Sequence, residues 1–80
     1  MTAGVPIRIA VVFEPDKKAK PIWFELNHQK YVVKETTYYW KDKIGETPLL
    51  HYAVTTDEAL YELVFNVTDQ SWMLHHHAIE

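Results

Sequence analysis

Three consecutive histidines at positions 75–77 are the residues whose chemistry stands out first. On an extended strand, residues two apart point the same way with Cα atoms roughly 6.5–7 Å apart, so His75 and His77 can share a metal ion. A third ligand is needed, and His51 is the residue we consider for it. Solvated imidazoles at the end of a last strand are the ordinary interpretation. We therefore assign no metal site, and we keep a small metal-binding protein as an alternative function.

Aromatic and basic side chains interleave between residues 23 and 43, and they form the second feature of interest. Rings beside ammonium groups suit single-stranded nucleic acid, or a proline-rich peptide laid on an aromatic groove. A small domain needs most of its rings inside, but three consecutive rings cannot all point inward from one strand, so at least one should be partly exposed. The predicted binding residues are Lys30, Lys34, Tyr38, Tyr39, Trp40, Lys41 and Lys43.

Several catalytic chemistries have no support in the sequence. There is no cysteine, which excludes disulfides, thiolate catalysis and cysteine-based zinc sites. Ser71 is the only serine, and we interpret it as a turn residue, while the two glycines are too isolated to form a phosphate-binding loop. Alternation places Glu25, Glu35 and Glu62 on solvated strand faces. We predict a protein that is not an enzyme and needs no cofactor.

The chain is sized for a single domain, which we place over residues 1–80. A domain of this size buries only about 60% of the surface that its unfolded chain exposes, so its core must be dense. Apolar residue types make up 48% of the sequence, which holds three Trp, five Tyr and three Phe. We therefore expect a core built around aromatic rings.

Location and charge give weaker guidance. The first ten residues lack a basic leader with a long apolar run, since Arg8 falls where a signal peptide needs its apolar core. No segment approaches transmembrane length. We expect a cytoplasmic protein with no membrane partner. All eight Lys and Arg residues precede residue 44, whereas the remainder carries six acidic residues, and this asymmetry suggests a surface with two electrostatic sides.

Alternating apolar residues predict the elements that must position these side chains. Residues 7–13 alternate as a half-buried strand, and two prolines with a charge run make a loop of residues 14–21. A hairpin is predicted to turn at Asn27 to Lys30, after which the β-branched and aromatic sequence extends to Trp40. Residues 41–48, which contain a glycine, are predicted to be a second loop.

The C-terminal half is ambiguous at one place. Thr55 followed by Glu58 matches a helix capping box, and apolar residues through Val64 could line a helical face. The same residues alternate as a strand, and we favour a hairpin turning at Thr56 to Glu58. The predicted fold is all-β, a small antiparallel barrel of five or six strands that is SH3-like. The alternative is an α+β fold with a short helix around 56–64.

A pattern of aromatic and aliphatic residues spans residues 21 to 75. It consists of Pro21, Phe24, Tyr31, Val33, Glu35, Trp40, Tyr52-Ala53-Val54-Thr55, Tyr61-Glu62-Leu63, Trp72 and Leu74-His75. In this pattern the chain resembles a small uncharacterised bacterial β-domain, which occurs alone and, in related form, near the C-terminus of some catalytically degenerate Y-family DNA polymerase-like proteins. The resemblance implies an association with DNA repair and brings no assigned catalytic residues.

Together these features predict a non-enzymatic interaction module that binds a protein segment or a nucleic acid through its Lys and aromatic residues. Two alternatives stay open. One is the metal-binding protein that uses the C-terminal histidines. The other is an oligomeric structural unit that buries its rings between subunits, so that both a monomer and a homodimer are compatible with the sequence.

Overall fold

The computed structural model describes residues 4–16 and 18–78, with the side chains of 76–78 left out. Its regular structure consists of β-strands. In chain order they are β1 (Val5–Pro6), β2 (Arg8–Val12), β3 (Lys20–Leu26), β4 (Gln29–Val32), β5 (Glu35–Ile44), β6 (Thr47–Thr55), β7 (Leu60–Asn66) and β8 (Ser71–Ala78).

The strands form two antiparallel sheets. The larger sheet has the order β1-β8-β7-β6-β5, and the smaller has the order β2-β3-β4. The chain passes from the larger sheet to the smaller at Ile7 and returns at Val33 and Lys34. The all-β prediction is confirmed. The described residues form eight strands rather than five or six, and their two sheets are not closed into a barrel.

The predicted hairpin between β3 and β4 is confirmed. Leu26 pairs with Gln29, which leaves Asn27 and His28 as a two-residue turn. Both have positive φ, 54° and 66°. This is the signature of a type I′ turn, whose twist matches that of the flanking strands, and Asn tolerates it better than most residues.

The prediction of a loop over residues 41–48 is wrong. β5 continues to Ile44 and β6 begins at Thr47, so the connection is a turn of two residues, Gly45 and Glu46. Gly45 has φ of +60° at the first turn position, as in a type II′ hairpin. Because Gly45 allows a turn of two residues, β5 and β6 both extend into the segment that was predicted to be a loop. The other predicted loop, 14–21, ends at Ala19 because β3 begins at Lys20.

Residues 56–64 form a turn and a strand, as favoured, and the helical alternative is wrong. The Thr56 hydroxyl accepts hydrogen bonds from the backbone N–H groups of Glu58 (3.1 Å) and Ala59 (3.3 Å). The Thr56 N–H donates to the Ala59 carbonyl at 3.0 Å, which closes the turn before β7. The described residues contain no helix of the length and hydropathy needed to cross a membrane.

The core lies between the sheets and is centred on aromatic rings. Phe24 of the smaller sheet stacks on Tyr31 at 5.1 Å and meets the edge of Tyr61 from the larger sheet at 5.4 Å. Such pairs contribute beyond the area they bury. The buried cluster comprises Phe24, Tyr52, Val54, Tyr61, Leu63 and Leu74.

Candidate functional site: the outer face of the larger sheet

The larger sheet has a second face, turned away from the smaller sheet, which we call the outer face. Alternation along each strand sends every other side chain there, and the registers align them across β5, β6, β7 and β8. Its residues include Tyr38, Trp40, Asp42, Ile44, Leu49, His51, Glu62, Val64, Met73 and His75.

Two of the predicted binding residues lie together on the outer face. Tyr38 and Trp40 are two apart on β5, and their ring centroids are 5.4 Å apart. Tyr38 is 65% exposed, whereas Trp40 is half-buried. The expectation that at least one of the three consecutive rings would be exposed is confirmed.

Three predicted binding residues of β5 point the other way. Tyr39 turns toward the core and packs against Tyr52 at 5.0 Å. Lys41 and Lys43 alternate with Trp40, so they project from the opposite side of the strand and are exposed. Because β5 continues to Ile44, alternation along it separates these lysines from Tyr38 and Trp40.

The two remaining lysines are engaged elsewhere. The Lys30 ammonium lies over the Trp23 ring on the smaller sheet, 4.5 Å from its centroid. Lys34 makes a 2.9 Å ion pair with Asp57. The seven predicted residues therefore divide among four places: the outer face holds Tyr38 and Trp40, the opposite side of β5 holds Tyr39, Lys41 and Lys43, and Lys30 and Lys34 lie at two further positions.

His51 is the centre of the outer face and is buried, at 5% exposure. Its Nδ1 lies 2.7 Å from Glu62 Oε2. Because a carboxylate accepts hydrogen bonds, Nδ1 carries a hydrogen and donates it to Glu62. Trp40 stacks on the imidazole with 4.8 Å between ring centroids. The ring is thus held by the hydrogen bond to Glu62 and by the stacked indole of Trp40.

The other nitrogen of His51 has no hydrogen-bond partner among the described residues. The nearest charged atom is Asp42 Oδ2, at 3.6 Å, which is too far for a hydrogen bond. In the neutral ring with its hydrogen on Nδ1, Nε2 is an acceptor, whereas in the imidazolium both ring nitrogens are donors.

The side chain of His75 also approaches Glu62 and His51, at an irregularity in the pairing of β7 with β8. Leu63 pairs with Leu74 and Glu62 with His76, so His75 is an extra residue in β8. A bulge of this kind redirects a side chain. The His75 Nδ1 lies 3.3 Å from Glu62 Oε2, and its ring meets that of His51 edge-on at 6.1 Å.

The structure describes the side chains of two of the three residues considered as metal ligands. The structure brings His51 and His75 to one carboxylate, Glu62. The side chain of His77, the remaining proposed ligand, lies outside the described residues. In the described part of the chain, no three His, Cys, Asp or Glu side chains are placed to hold a metal ion.

Glu62 corrects another prediction. It was expected on a solvated strand face, but its side chain is only 16% exposed and is paired with His51. The reason is that the outer face carries large neighbours that cover it. Asp42, like Glu62, was missed as a site residue, because its role depends on the register between strands and not on a local pattern.

A cavity of about 470 Å³ opens beside His51 on the outer face. This volume is in the range of small-molecule sites. Its floor is apolar, with Leu49 and Val64 buried and Met73 half-buried. The residues that line it are Gly4, Asp42, Ile44, Thr47, Leu49, His51, Val64, Asn66, Met73 and His75.

Comparisons with known proteins do not extend this description. No family model, no curated protein and no solved structure matches the chain. The features that bear on function are therefore the geometry of the outer face and of β5.

Proposed function

We propose that this protein is a cytoplasmic, non-enzymatic interaction module that binds an extended segment of another protein along β5. The observation that carries the proposal is the position of Tyr38, a large ring that is 65% exposed on an edge strand of ten residues. Exposed aromatic residues at the centre of a surface are frequent anchors of binding energy.

The backbone of β5 supports this mode of binding. Among the described strands β5 pairs only with β6, and it forms one edge of the larger sheet. Such an edge presents N–H and C=O groups to which an extended peptide can add as a further strand. Main-chain hydrogen bonds then supply affinity, and alternate side chains supply specificity.

The side chains of β5 indicate the composition of the segment. Tyr38 and Trp40 offer apolar contact on the outer face, while Lys41 and Lys43 project on the opposite side. A strand added beside β5 would meet these two environments alternately. We therefore expect a segment in which apolar residues alternate with acidic ones.

A protein segment fits this surface better than a nucleic acid does. Stacked bases need cationic groups beside the rings, to contact the phosphates. Asp42 lies on the same side of β5 as Tyr38 and Trp40, and the neighbouring lysines point away. A second copy of the chain is also disfavoured, because lysines on an edge strand oppose edge-to-edge pairing of identical chains.

The test uses a synthetic heptapeptide in which Glu alternates with Val. Nuclear magnetic resonance should show shifted and more protected amides along β5. Tyr38→Thr should weaken binding about tenfold, since it removes an aromatic anchor worth more than 1 kcal/mol. Val32→Thr is the matched control, an exposed residue on β4 at the edge of the smaller sheet, and it should bind normally.

Two outcomes would overturn the proposal. The first is binding of single-stranded oligothymidine at β5, with an affinity that falls steeply as salt rises, because that dependence indicates phosphate contacts. The second is a sedimentation coefficient that rises with protein concentration while peptide binding is absent. This second result would assign β5 to contact between copies of the chain.

A further inference from the structure

We propose that the smaller sheet binds single-stranded nucleic acid on the face turned away from the core, with a base stacked on Trp23 and the neighbouring phosphates bound by three basic residues. We call this surface the Trp23 face, and it comprises Arg8, Lys20, Trp23, Glu25, Lys30 and Val32. It lies on the other sheet from the peptide surface proposed along β5, and it depends on different residues.

The registers of β2, β3 and β4 place the indole of Trp23 in the middle of this face. Trp23 lies between Ala10 of β2 and Val32 of β4. Its neighbour along the chain, Phe24, is fully buried between the sheets, so alternation directs Trp23 outward. Ala10 is too short to cover an indole, and Val32 is 61% exposed. The ring of Trp23 is only partly buried, so it can serve as a platform for a planar group.

Three basic residues lie on the same face as this ring. Arg8 and Lys30 flank Glu25 from the two neighbouring strands. Lys20 lies toward the other end of β3, and it points outward because the adjacent Pro21 is buried in the core. Glu25 is the only acidic residue in β2, β3 and β4. The Trp23 face is therefore positive, although the chain as a whole has a net charge of −3.

The ion pair of Arg8 with Glu25 leaves the guanidinium able to bind a phosphate. Arg8 Nη1 lies 3.0 Å from Glu25 Oε1, and the Arg8 side chain is 78% exposed. A guanidinium carries several N–H donors in a planar group that suits phosphate oxygens, so one contact does not exhaust it. Arg8, Glu25, Trp23 and Lys30 together line one surface depression of about 300 Å³. The ring and two of the cations therefore adjoin.

Lys30 marks the side of the indole that a base would occupy. Its ammonium lies over the Trp23 ring, 4.5 Å from the centroid. A cation–π contact at an exposed site contributes less than the stacking of a base on an aromatic ring, so a base would displace the ammonium. Because Lys30 is exposed and its side chain is long, the displaced ammonium can bind a phosphate of the same strand.

A nucleic acid fits the Trp23 face better than an acidic protein segment does. The carboxylates of a peptide would pair with the cations but would leave the indole without a stacking partner, whereas bases and phosphates together satisfy both. Asp57 and Glu58 lie beside β4 and would repel phosphates there. We therefore expect the strand to run along β2 and β3, between Arg8 and Lys20.

The test uses octathymidylate at low salt. It should shift the indole N–H resonance of Trp23 and leave those of Trp40 and Trp72 unchanged. An octamer with the same phosphates but no bases should bind at least about fivefold more weakly, because it cannot stack. Octaglutamate should leave Trp23 unshifted. Three phosphate contacts predict that the logarithm of the affinity falls with the logarithm of salt with a slope of about −2.

Substitution then tests the cations and the ring. Lys30→Gln should weaken binding and make the salt slope shallower by about 0.7, the contribution of one phosphate contact to a single strand. Lys34→Gln is the matched control, because it removes the same charge from a lysine whose ammonium is paired with Asp57 at 2.9 Å. Its binding of octathymidylate should be unchanged. Trp23→Leu keeps an apolar side chain on the sheet and should weaken binding at least about fivefold.

The inference is overturned if the octamer without bases or octaglutamate binds as tightly as octathymidylate, or if octathymidylate does not shift Trp23. It is also overturned if Lys30→Gln and Lys34→Gln behave alike, a comparison that does not depend on how well Trp23→Leu folds. Tyr38→Thr should leave octathymidylate binding unchanged, and Lys30→Gln should leave heptapeptide binding unchanged. Either proposal can therefore fail while the other stands.

Discussion

The imidazole of His51 lies parallel to the indole of Trp40, with ring centroids 4.8 Å apart and 12° between their planes. The two residues face each other in the register of β5 and β6. Trp40 covers one side of the imidazole while Glu62 accepts the hydrogen of Nδ1. A polar ring is thereby buried on the outer face of a sheet, where side chains usually meet water.

The contact between His51 and Glu62 should stabilise the fold. Glu62→Ala would leave the Nδ1–H of a buried ring without its acceptor, at a cost of about 1–3 kcal/mol. Glu35→Ala is the control, because Glu35 is an exposed carboxylate of β5. Urea denaturation gives the free energy of unfolding of each variant. Equal values for the two variants would show that the hydrogen bond contributes nothing.

The turn between β3 and β4 can be improved. His28 has φ of 66°, a conformation that costs most residues energy and glycine little. His28→Gly creates the Asn-Gly pair preferred in type I′ turns, and we expect the free energy of unfolding to rise by a few tenths to about 1 kcal/mol, after the added freedom of the unfolded chain is counted.

Gln29→Gly is the control for that substitution. Gln29 is the first residue of β4 and does not have positive φ, so a glycine there weakens a strand without relieving strain. Thermal unfolding should place its midpoint below that of the wild type and the midpoint of His28→Gly above it. The reverse order would contradict the assignment of the turn.

The position of the core predicts that truncating one leucine of β7 has a large effect on stability and that truncating another leucine of the same strand has a small one. Leu63 is fully buried between the sheets, whereas Leu60 is 40% exposed. Leu63→Ala should lower the free energy of unfolding by about 2–5 kcal/mol, through lost burial and the cavity left behind. Leu60→Ala should cost well under half of that. Similar losses at both positions would place the core elsewhere.

Much of the fold follows from sequence because a half-buried strand records its faces in alternate residues. Alternation of apolar and polar residues predicts most of the strands. The tolerance of Asn27 for positive φ helps to place the turn between β3 and β4. The hairpin of β5 and β6 is not predicted, because Gly45 is compatible with a long loop as well as with a turn of two residues. The local sequence predicts that Gly45 lies in a connection between strands, but it does not predict that this connection is only two residues long.

The outer-face site was less accessible to sequence analysis. The contact of His51 with Glu62 joins strands in register, and the approach of His75 depends on a bulge in β8. No local pattern specifies either. Alternation within the predicted strand separates Tyr39 from Tyr38 and Trp40, whereas the positions of Lys41 and Lys43 depend on the continuation of β5 past Trp40, where a loop was predicted. Grouping residues by composition obscured which face each one occupies.

Alkaline pH should weaken the fold through Tyr52. Burial raises the pKa of Tyr52 to about 12, and the neighbouring Tyr39 adds to the rise. In the unfolded chain a tyrosine ionises near pH 10. Between about pH 10 and 12 the unfolded state therefore loses a proton that the folded state keeps, so the stabilisation is complete below pH 10 and is lost as pH rises toward 12.

Tyr52→Phe tests this dependence. Two pH units correspond to roughly 2–3 kcal/mol, so the variant should lose less stability than the wild type over this interval. Some decline should persist, because burial, with smaller contributions from Tyr31 and Glu58, also raises the pKa of Tyr61. Tyr38→Phe removes a hydroxyl from an exposed ring and serves as the control. Urea denaturation at pH 9.5 and 11.5 measures the change, and an unaltered decline in Tyr52→Phe would show that the Tyr52 hydroxyl is not the group responsible.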